Sequence, residues 1–456
     1  MQRGSSNPWA SVTDFFHVYG HPRVVVVLFL GFSSGLPLAL TFGTLSLWLS
    51  ESGVSKTSIG LFALTGIPYT FKFLWAPLVD RLPIPGVTRA FGRRRGWALL
   101  TQFFLVCSIA AMGLSSPDIV PWWTAVFALS TAFWSATQDI VIDAYRVEAL
   151  DADHYGAGAA VVVLGYRLGM LASGALALYL ATWFGWKITY LVMAGLMSVG
   201  MLTVLLAPEP EIPVSGASLR LERKMRARIA TLNLGETGRN LVLWFSGAVI
   251  GPFAEFMTRR GWVQVLLFIL LYKLGDALAG VMGNPFYTEL GFTRIQIADI
   301  SKVVGLTATI VGAFLGGWMV NRLGVMRSLL WCGVLQLASN LMFVILARAG
   351  NDMTAFTMTI LIENLSGGMG TAAFVAYLSS LCNIAYTATQ YALLSSFMSF
   401  GRTILSSTGG WLADHMSWEL FFLVTTAAAL PGLLLLAWMI KRFPSEPNEQ
   451  MVNGID

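Results

Sequence analysis

Two aspartates, Asp139 and Asp143, lie inside a predominantly apolar stretch, residues 121–145, that is long enough to cross a lipid bilayer. They are four residues apart, so a helix over this stretch places both carboxylates on one face. Ionisable groups at membrane depth are energetically costly and usually face a protein interior or a water-filled path. A carboxyl group that moves between two such environments binds and releases a proton. The pair therefore predicts proton coupling.

A structural role is the alternative interpretation of these acids. One of them would then form an ion pair with Arg167, in the following apolar stretch, and lock two helices together. Asp143 also lies near the end of its stretch that the loop charges predict to be cytoplasmic, where Arg146 and Glu148 follow. That position suits a gate as well as proton coupling. The residues alone leave these alternatives open.

Further polar residues in apolar stretches are candidates for substrate contact. Arg167 and Arg402 occupy matching positions in the two halves of the chain, where a planar guanidinium either clamps a substrate carboxylate or neutralises a helix acid. Lys273 and Asp276 share a helix face and form either a self-contained pair or a split pair that meets substrate. Glu363 precedes a glycine-rich stretch. Its carboxyl group is expected either to contact substrate or take part in coupling, or to make a packing hydrogen bond. The candidate substrate-binding residues are Lys72, Gln138, Tyr166, Arg167, Lys273, Asp276, Glu363, Asn364 and Arg402.

The elements that must position these residues are membrane-spanning helices. The chain is 56% hydrophobic and only 12% charged, whereas a soluble domain has about 25% charged residues. Its basic residues cluster in short loops between apolar stretches, so the net charge of +5 reflects the positive-inside rule and not nucleic-acid binding. The expected spans are residues 24–49, 58–78, 97–115, 121–145, 158–182, 187–207, 262–282, 296–319, 328–348, 354–381, 387–412 and 418–440.

A long polar stretch divides six predicted spans from the other six. We therefore expect an all-α membrane protein with twelve transmembrane helices in two six-helix repeats. Basic residues in this stretch, and in the turn after the second span, predict that both termini are cytoplasmic. The expected organisation is an N-terminal half (1–207), a cytoplasmic linker with an interfacial helix (208–260), a C-terminal half (261–442) and a polar cytoplasmic tail (443–456).

Corresponding turns in the two halves predict a cytoplasmic gate. The second span ends in Asp80 and Arg81, and the eighth span ends in Asn321 and Arg322. Weak internal repeats of this kind are typical of transporters. The sequence has no phosphate loop, dinucleotide fingerprint, metal-ligand spacing or nucleophile elbow. We therefore expect neither an ATP-driven pump nor an enzyme, and no cofactor or metal.

Longer strings across both halves resemble the AmpG-type muropeptide permeases of the major facilitator superfamily. They are residues 30–41 (LGFSSGLPLALT), 71–78 (FKFLWAPL), 92–97 (GRRRGW), 136–144 (ATQDIVIDA), 164–171 (LGYRLGML), 271–277 (LYKLGDA) and 363–371 (ENLSGGMGT). The resemblance covers nearly the whole chain. It implies a multi-pass permease of the bacterial inner membrane that imports N-acetylglucosaminyl-anhydro-N-acetylmuramyl peptides, driven by the proton gradient.

The same resemblance implies a role in peptidoglycan recycling and an effect on β-lactamase induction. The expected partners are the muropeptide substrate, protons and membrane lipids, without nucleic acid, and the expected state is a monomer. The alternative function is a permease for another large anion, such as acetyl-coenzyme A. A membrane-embedded enzyme or receptor would need a catalytic constellation or an added soluble domain, and the sequence shows neither.

Overall fold

The computed structural model describes residues 18–54, 62–210, 251–259, 261–293, 296–297, 299–383 and 386–442. Within these ranges the regular structure is helical, without strands. Helices are the expected form for long apolar segments in a bilayer, because they satisfy the backbone N–H and C=O groups internally. The predicted all-α class is confirmed.

The described residues form two compact units. The first unit takes its described residues from Met1–Tyr69, Pro83–Pro210 and Ala313–Gly324, and the second from Thr70–Leu82, Glu211–Gly312 and Val325–Asp456. Each unit therefore includes one short segment from the other half of the sequence. Most of the predicted linker (211–250) and the predicted tail (443–456) lie outside the described residues.

The first half of the sequence forms long helices that are interrupted at a few defined places. The helices are α1 (Pro22–Thr41), α2 (Gly43–Glu51), α3 (Ile67–Phe71), α4 (Ala76–Arg81), α5 (Val87–Phe91), α6 (Arg93–Leu114), α7 (Pro121–Ala149), α8 (Tyr155–Leu171), α9 (Ala177–Leu196) and α10 (Ser198–Leu206). The predicted second span is broken by 3₁₀ turns at Phe62–Gly66 and Lys72–Leu74. Pro68 and Pro77 each lie in the first turn of a new short helix, the position that proline favours.

The predicted boundary between the fifth and sixth spans falls at Gly185. A π-helical turn, Ala172–Leu176, joins α8 to α9 without ending the helix. Gly185 then has φ +76° and ψ 165°, which interrupts the helical backbone inside α9. Glycine adopts this region without the steric cost that other residues incur.

The second half of the sequence repeats the pattern of long helices. The helices are α11 (Gly251–Thr258), α12 (Trp262–Tyr272), α13 (Leu274–Glu289), α14 (Gly305–Leu323), α15 (Val325–Ala349), α16 (Met353–Ser380), α17 (Thr387–His415) and α18 (Trp418–Arg442), with a π-helical segment at Asp299–Val304. Of the predicted interfacial helix, the structure describes only the part that begins at Gly251.

Eight stretches of the described residues are long and apolar enough to cross a membrane. One of them, Tyr155–Leu206, has 52 residues, which is enough for two crossings of about 20 residues each. Together with α16, α17 and the interrupted segment from Phe62 to Arg81, these stretches are consistent with the twelve helices expected from the sequence.

Close helix contacts position the polar residues of both units. In the first unit, a Cβ added at Gly35 of α1 would overlap the backbone carbonyl of Tyr166 in α8, and one at Gly165 would overlap that of Leu28. In the second unit, a Cβ added at Gly312 of α14 would overlap the backbone carbonyl of Leu365 in α16. Glycine permits this approach because it has no side chain, as is common where membrane helices cross.

Candidate functional site

Asp139 and the preceding Gln138 both form hydrogen bonds to α1. Its Oδ1 accepts a hydrogen bond from the Ser34 hydroxyl at 2.5 Å. The preceding Gln138 donates from Nε2 to the Ser33 carbonyl oxygen (2.9 Å) and accepts from the Ser33 hydroxyl (3.1 Å). Gln138 is fully buried, so its amide serves as an attachment between α1 and α7. Two consecutive residues of α7 are thus joined to two consecutive residues of α1, which fixes the Asp139 carboxylate.

Two tyrosine hydroxyls lie near this carboxylate. Tyr69, in the short helix α3, and Tyr166, in α8, both interact electrostatically with Asp139. The Tyr69 hydroxyl is buried and lies near the hydroxyls of Ser135 and Thr41. Ser34, Tyr69 and Tyr166 thus accompany Asp139, and we call these four residues the Asp139 cluster. Hydroxyl groups both donate and accept, so they accommodate a carboxylate or a carboxylic acid.

Arg167 follows Tyr166 on α8 and is half-buried. Among the described residues its side chain forms no ion pair and no hydrogen bond, although its charge acts on the Tyr166 hydroxyl. The structural alternative, an ion pair between Arg167 and Asp139, is not formed between these two described side chains. A cation in a spanning helix that forms no ion pair with a described carboxylate is suited to an anionic ligand.

Asp143 has different surroundings from Asp139. The Arg146 guanidinium pairs with Asp143, Nη2 to Oδ1 3.3 Å, and Arg146 is almost fully buried. Nearby, Glu148 accepts two hydrogen bonds from Arg94, 2.8 Å from Nε and 2.5 Å from Nη2, and both side chains are fully buried. Asp143 therefore belongs to the end of α7 that is rich in ion pairs.

In the second unit, Lys273 and Asp276 form the pair expected from their spacing. The distance from Lys273 Nζ to Asp276 Oδ2 is 3.1 Å. The same oxygen accepts a second hydrogen bond from Gln336 Nε2 at 2.5 Å. Gln336 is buried in α15 and lies against Gly370, which limits the positions that its amide can take. The pair is thus joined to a neighbouring helix through the carboxylate.

Glu363 and Asn364 on α16 form a second polar group in this unit. Asn364 donates from Nδ2 to Glu363 Oε2 at 2.8 Å, and its Oδ1 accepts from the Thr309 hydroxyl at 3.1 Å. The close crossing of α14 and α16 at Gly312 makes the Thr309 contact possible. Asp276, Lys273 and Glu363 interact electrostatically, so the two polar groups belong to one region. We call Lys273, Asp276, Gln336, Glu363 and Asn364 the second-unit cluster.

The remaining predicted substrate-binding residues are Lys72 and Arg402. Lys72 is buried in a 3₁₀ turn and belongs to the second unit by its contacts. Arg402 lies within α17, but its side chain is outside the described residues. The substrate-binding roles expected from the sequence remain predictions for these and the other candidate residues.

The Asp80 carboxylate lies at the N-terminus of α17. Its Oδ1 accepts from the Ala388 backbone N–H at 3.2 Å, and its Oδ2 accepts from the Thr389 backbone N–H (2.7 Å) and hydroxyl (2.6 Å). Helix N-termini favour anions because their first N–H groups have no partner within the helix. The adjacent Arg81 guanidinium lies over the Tyr386 ring, 5.4 Å from its centroid. Asp80 and Arg81 thus both contact the start of α17 or the residue before it.

The corresponding segment of α14 makes a contact of another kind. Asn321 is exposed overall, yet its Oδ1 lies directly against Gly156 at the start of α8. Gly156 also meets the backbone of Gly317, and a Cβ added at either glycine would overlap the carbonyl oxygen of the other. Arg322 is exposed at the end of the same helix. This contact depends on close backbone approach and an amide, whereas the Asp80 contact depends on a carboxylate.

The sequence did not indicate a contact between α11 and α17. Gln390 donates from Nε2 to Glu255 Oε2 (2.5 Å) and the Pro252 carbonyl oxygen (3.1 Å), and its Oε1 accepts from the Asn383 backbone N–H (2.7 Å). Glu255 is in turn paired with Arg259 at 2.8 Å. Ser34, Tyr69 and Thr309 were also missed, because single hydroxyls are common in apolar helices and no spacing distinguishes them.

Neither unit shows a metal centre in its described part. No group of three or more His, Cys, Asp or Glu side chains there is arranged to hold a metal ion. The three cysteines, Cys107, Cys332 and Cys382, are free thiols. The polar groups available for chemistry are therefore carboxylates, hydroxyls, amides and cations, which bind protons and polar ligands.

Comparison with known proteins agrees with the membrane-spanning helical fold. The family model for the Major Facilitator Superfamily matches residues 27–283 and 265–453. The anhydromuropeptide permease of Escherichia coli (strain K12) is 43% identical over 428 residues, which cover 93% of this chain and 81% of that protein. A relative in Rickettsia felis whose name carries the AmpG designation is 35% identical, with 94% of this chain and 99% of that protein covered.

A solved structure supports the fold independently of sequence similarity. The Escherichia coli fucose:proton symporter superposes with a TM-score of 0.66 at 11% identity, and the match covers 91% of this chain and 98% of that one. The expectation of a transporter rather than an enzyme is confirmed, since the relatives are permeases. The chain belongs to the AmpG-type permeases of the Major Facilitator Superfamily.

Proposed function

We propose that this protein imports anhydromuropeptides across the inner (cytoplasmic) membrane of a bacterium, together with protons. The substrate class rests on the permease of Escherichia coli that is 43% identical over 93% of this chain. The observation in the structure that carries the coupling is the arrangement of Asp139 and Arg167. The Asp139 carboxylate is held among hydroxyl groups. Arg167 is a nearby cation that has no carboxylate partner among the described residues.

Charge balance explains how this arrangement couples substrate to protons. With the site empty, the positive charge of Arg167 and the negative charge of Asp139 compensate each other. A substrate carboxylate that binds Arg167 adds one negative charge, and uncompensated charge in an apolar interior is energetically costly. A proton on Asp139 restores neutrality, so substrate and proton bind more favourably together than separately. The Ser34 hydroxyl donates to the Asp139 carboxylate and accepts from the protonated acid.

The remaining polar candidates fit the other groups of a muropeptide. Peptide amides and sugar hydroxyls need donors and acceptors, which Tyr166, Asn364 and Gln336 provide within their own units. Lys273 offers a second cation for a peptide carboxylate, although Asp276 already occupies it in this structure. We propose that the substrate competes with Asp276 for this lysine, as in the split-pair interpretation of the sequence.

We further propose that the Asp80 and Asn321 contacts are parts of a cytoplasmic gate, with Arg81 and Arg322 beside them. This assignment agrees with the positive-inside rule, which also predicts cytoplasmic termini. We propose that the organisation is a first half (1–207), a linker (208–260), a second half (261–442) and a tail, and that the protein acts as a monomer among membrane lipids. Import would return cell-wall products to peptidoglycan recycling and influence β-lactamase induction.

Uptake of labelled anhydromuropeptide into proteoliposomes tests the proposal. We expect accumulation above the equilibration level when the outside is acidic, and only equilibration without a pH gradient. Unlabelled acetyl-coenzyme A should not compete, whereas unlabelled muropeptide should. Correctly inserted protein that takes up no muropeptide under either condition would overturn the proposed substrate. Accumulation that is indifferent to the pH gradient would overturn the coupling.

A further inference from the structure

The second-unit cluster contains two carboxylates and one cation among its described side chains. Lys273 forms its ion pair with Asp276 at 3.1 Å. Glu363 lies in the same region and interacts electrostatically with both residues. If all three groups are ionised, the cluster has one negative charge without a balancing cation. Such a charge is costly in a spanning helix, so one carboxylate is expected to bind a proton during the cycle.

Hydrogen bonding distinguishes the two carboxylates. Asp276 Oδ2 accepts from both Lys273 and Gln336, and both donors favour the ionised form. Gln336 is buried against Gly370, so its donor cannot easily turn away. Protonation of Asp276 would weaken two hydrogen bonds and leave Lys273 uncompensated. The geometry therefore suits Asp276 to be the partner of Lys273 and Gln336.

Glu363 meets one neutral donor, the Asn364 amide, at 2.8 Å. Asn364 is itself fixed, because its Nδ2 also donates to the Ile360 carbonyl oxygen and its Oδ1 accepts from Thr309. Among the described residues no cation pairs with Glu363. Either form of Glu363 can accept from Asn364, so proton binding to its side chain leaves this contact intact.

The elements around Glu363 contribute the following other titratable groups. Tyr287 of α13 interacts electrostatically with it. The π-helical segment that packs beside α16 contributes Asp299, which is exposed, and Lys302, whose side chain is outside the described residues. From α17 comes Arg402, whose side chain is likewise not described. Tyr287 is neutral in the ordinary pH range and Asp299 is acidic, so neither compensates Glu363.

We propose that Glu363 is a second proton-binding group of the transport cycle, in addition to Asp139, and that Asp276 serves only as the partner of Lys273. Glu363 binds a proton as its carboxylate becomes a carboxylic acid, and it releases the proton when a cation approaches or water enters. With Glu363 protonated, the Asp276 carboxylate and the Lys273 ammonium balance each other, so the cluster is neutral before an anionic substrate arrives. This inference rests on the proposed proton-coupled import.

The first test compares Glu363→Gln with the wild-type protein in proteoliposomes. The glutamine has the shape and neutrality of the protonated acid, so exchange of labelled for unlabelled muropeptide should be reduced less than gradient-driven accumulation. Accumulation driven by the pH gradient should fall to the equilibration level, and substrate-evoked proton uptake should decrease. Glu289→Gln is the matched control. Glu289 lies at the far end of α13 and accepts a hydrogen bond from Trp418 Nε1, and the amide oxygen of the glutamine can accept the same hydrogen bond. Gradient-driven accumulation by Glu363→Gln equal to the wild type would overturn the inference.

A second test reads the proton directly and needs neither substrate nor transport. Infrared difference spectra of the purified protein, taken between alkaline and acidic buffer, should contain a carboxylic-acid band that Glu363→Gln removes and Glu363→Asp shifts. Asp139→Asn should remove a different band. If Glu363→Gln does not fold, the shift in Glu363→Asp remains decisive. Spectra of Glu363→Asp identical to those of the wild type would overturn the assignment of Glu363. Failure of muropeptide uptake would overturn only the proposed substrate, because the spectra do not depend on transport.

Discussion

Replacement of Asp80 by alanine should loosen the start of α17. Its carboxylate accepts from the Ala388 and Thr389 backbone N–H groups and from the Thr389 hydroxyl, and all three donors are buried. Alanine supplies no acceptor, and water reaches a buried helix start only after the contact opens. The change therefore raises the free energy of the state in which the contact is made.

The structure gives the magnitude of this effect. A buried donor that loses its acceptor costs about 1–3 kcal/mol, so three donors at the lower limit give about 3 kcal/mol. At about 1.4 kcal/mol per factor of ten, the open state should become roughly 100-fold more populated. Asp80→Asn keeps the oxygen that faces Ala388 but presents an amide to Thr389. It should therefore cost about 2 kcal/mol, again at the lower limit of 1 kcal/mol per donor.

Cys382 provides a native reporter for the opening of this region. It is a partly buried free thiol in the turn before α17, and its Sγ contacts the Leu378 carbonyl oxygen at 3.2 Å. Alkylation by N-ethylmaleimide, followed at this peptide by mass spectrometry, should be much faster in Asp80→Ala and intermediate in Asp80→Asn. Asp414→Ala, an exposed change at the far end of the same helix, is the control and should leave the rate unchanged. Equal rates in Asp80→Ala and the wild type would refute the reasoning.

Other changes test the remaining contacts. Asp139→Asn should abolish gradient-driven accumulation but leave muropeptide exchange in proteoliposomes; normal accumulation would contradict its role. Arg167→Gln should raise the KM for muropeptide at least tenfold, since a charge-assisted hydrogen bond contributes about 1.5–3 kcal/mol, while Arg167→Lys should recover part of that loss. Gly35→Val should lower the thermal stability of the purified protein, because its side chain would overlap the Tyr166 backbone; an unchanged Tm would argue against the close crossing. Gln390→Ala should speed hydrogen exchange in residues 251–259, which it attaches to α17, and unaltered exchange would show that other contacts hold α11.

The spacing of residues accounts for what could be predicted about the polar groups. The Lys273 and Asp276 pair was expected from their separation of three residues, and the structure contains it, although Lys273 lies in the break between α12 and α13. The alternative partner for Asp139 could not be chosen in this way, because Arg167 lies on another helix. The choice depends on how α1, α7 and α8 cross. Glycines such as Gly35 and Gly165 set that crossing, which brings Ser34 to the carboxylate and leaves Arg167 without an ion pair among the described residues.

The number of apolar stretches, their length and the charges between them were sufficient to predict an all-α membrane transporter in two halves. These properties are local, since each stretch must satisfy its own backbone hydrogen bonds and bury its own side chains in lipid. Partners are not local, and only the tertiary structure decided them. Asp80 binds the start of α17, some 300 residues further along the chain, and Gln390 binds Pro252 and Glu255 of α11. A carboxylate or amide has the same composition wherever it lies, but its role depends on the donors that the folded helices bring to it.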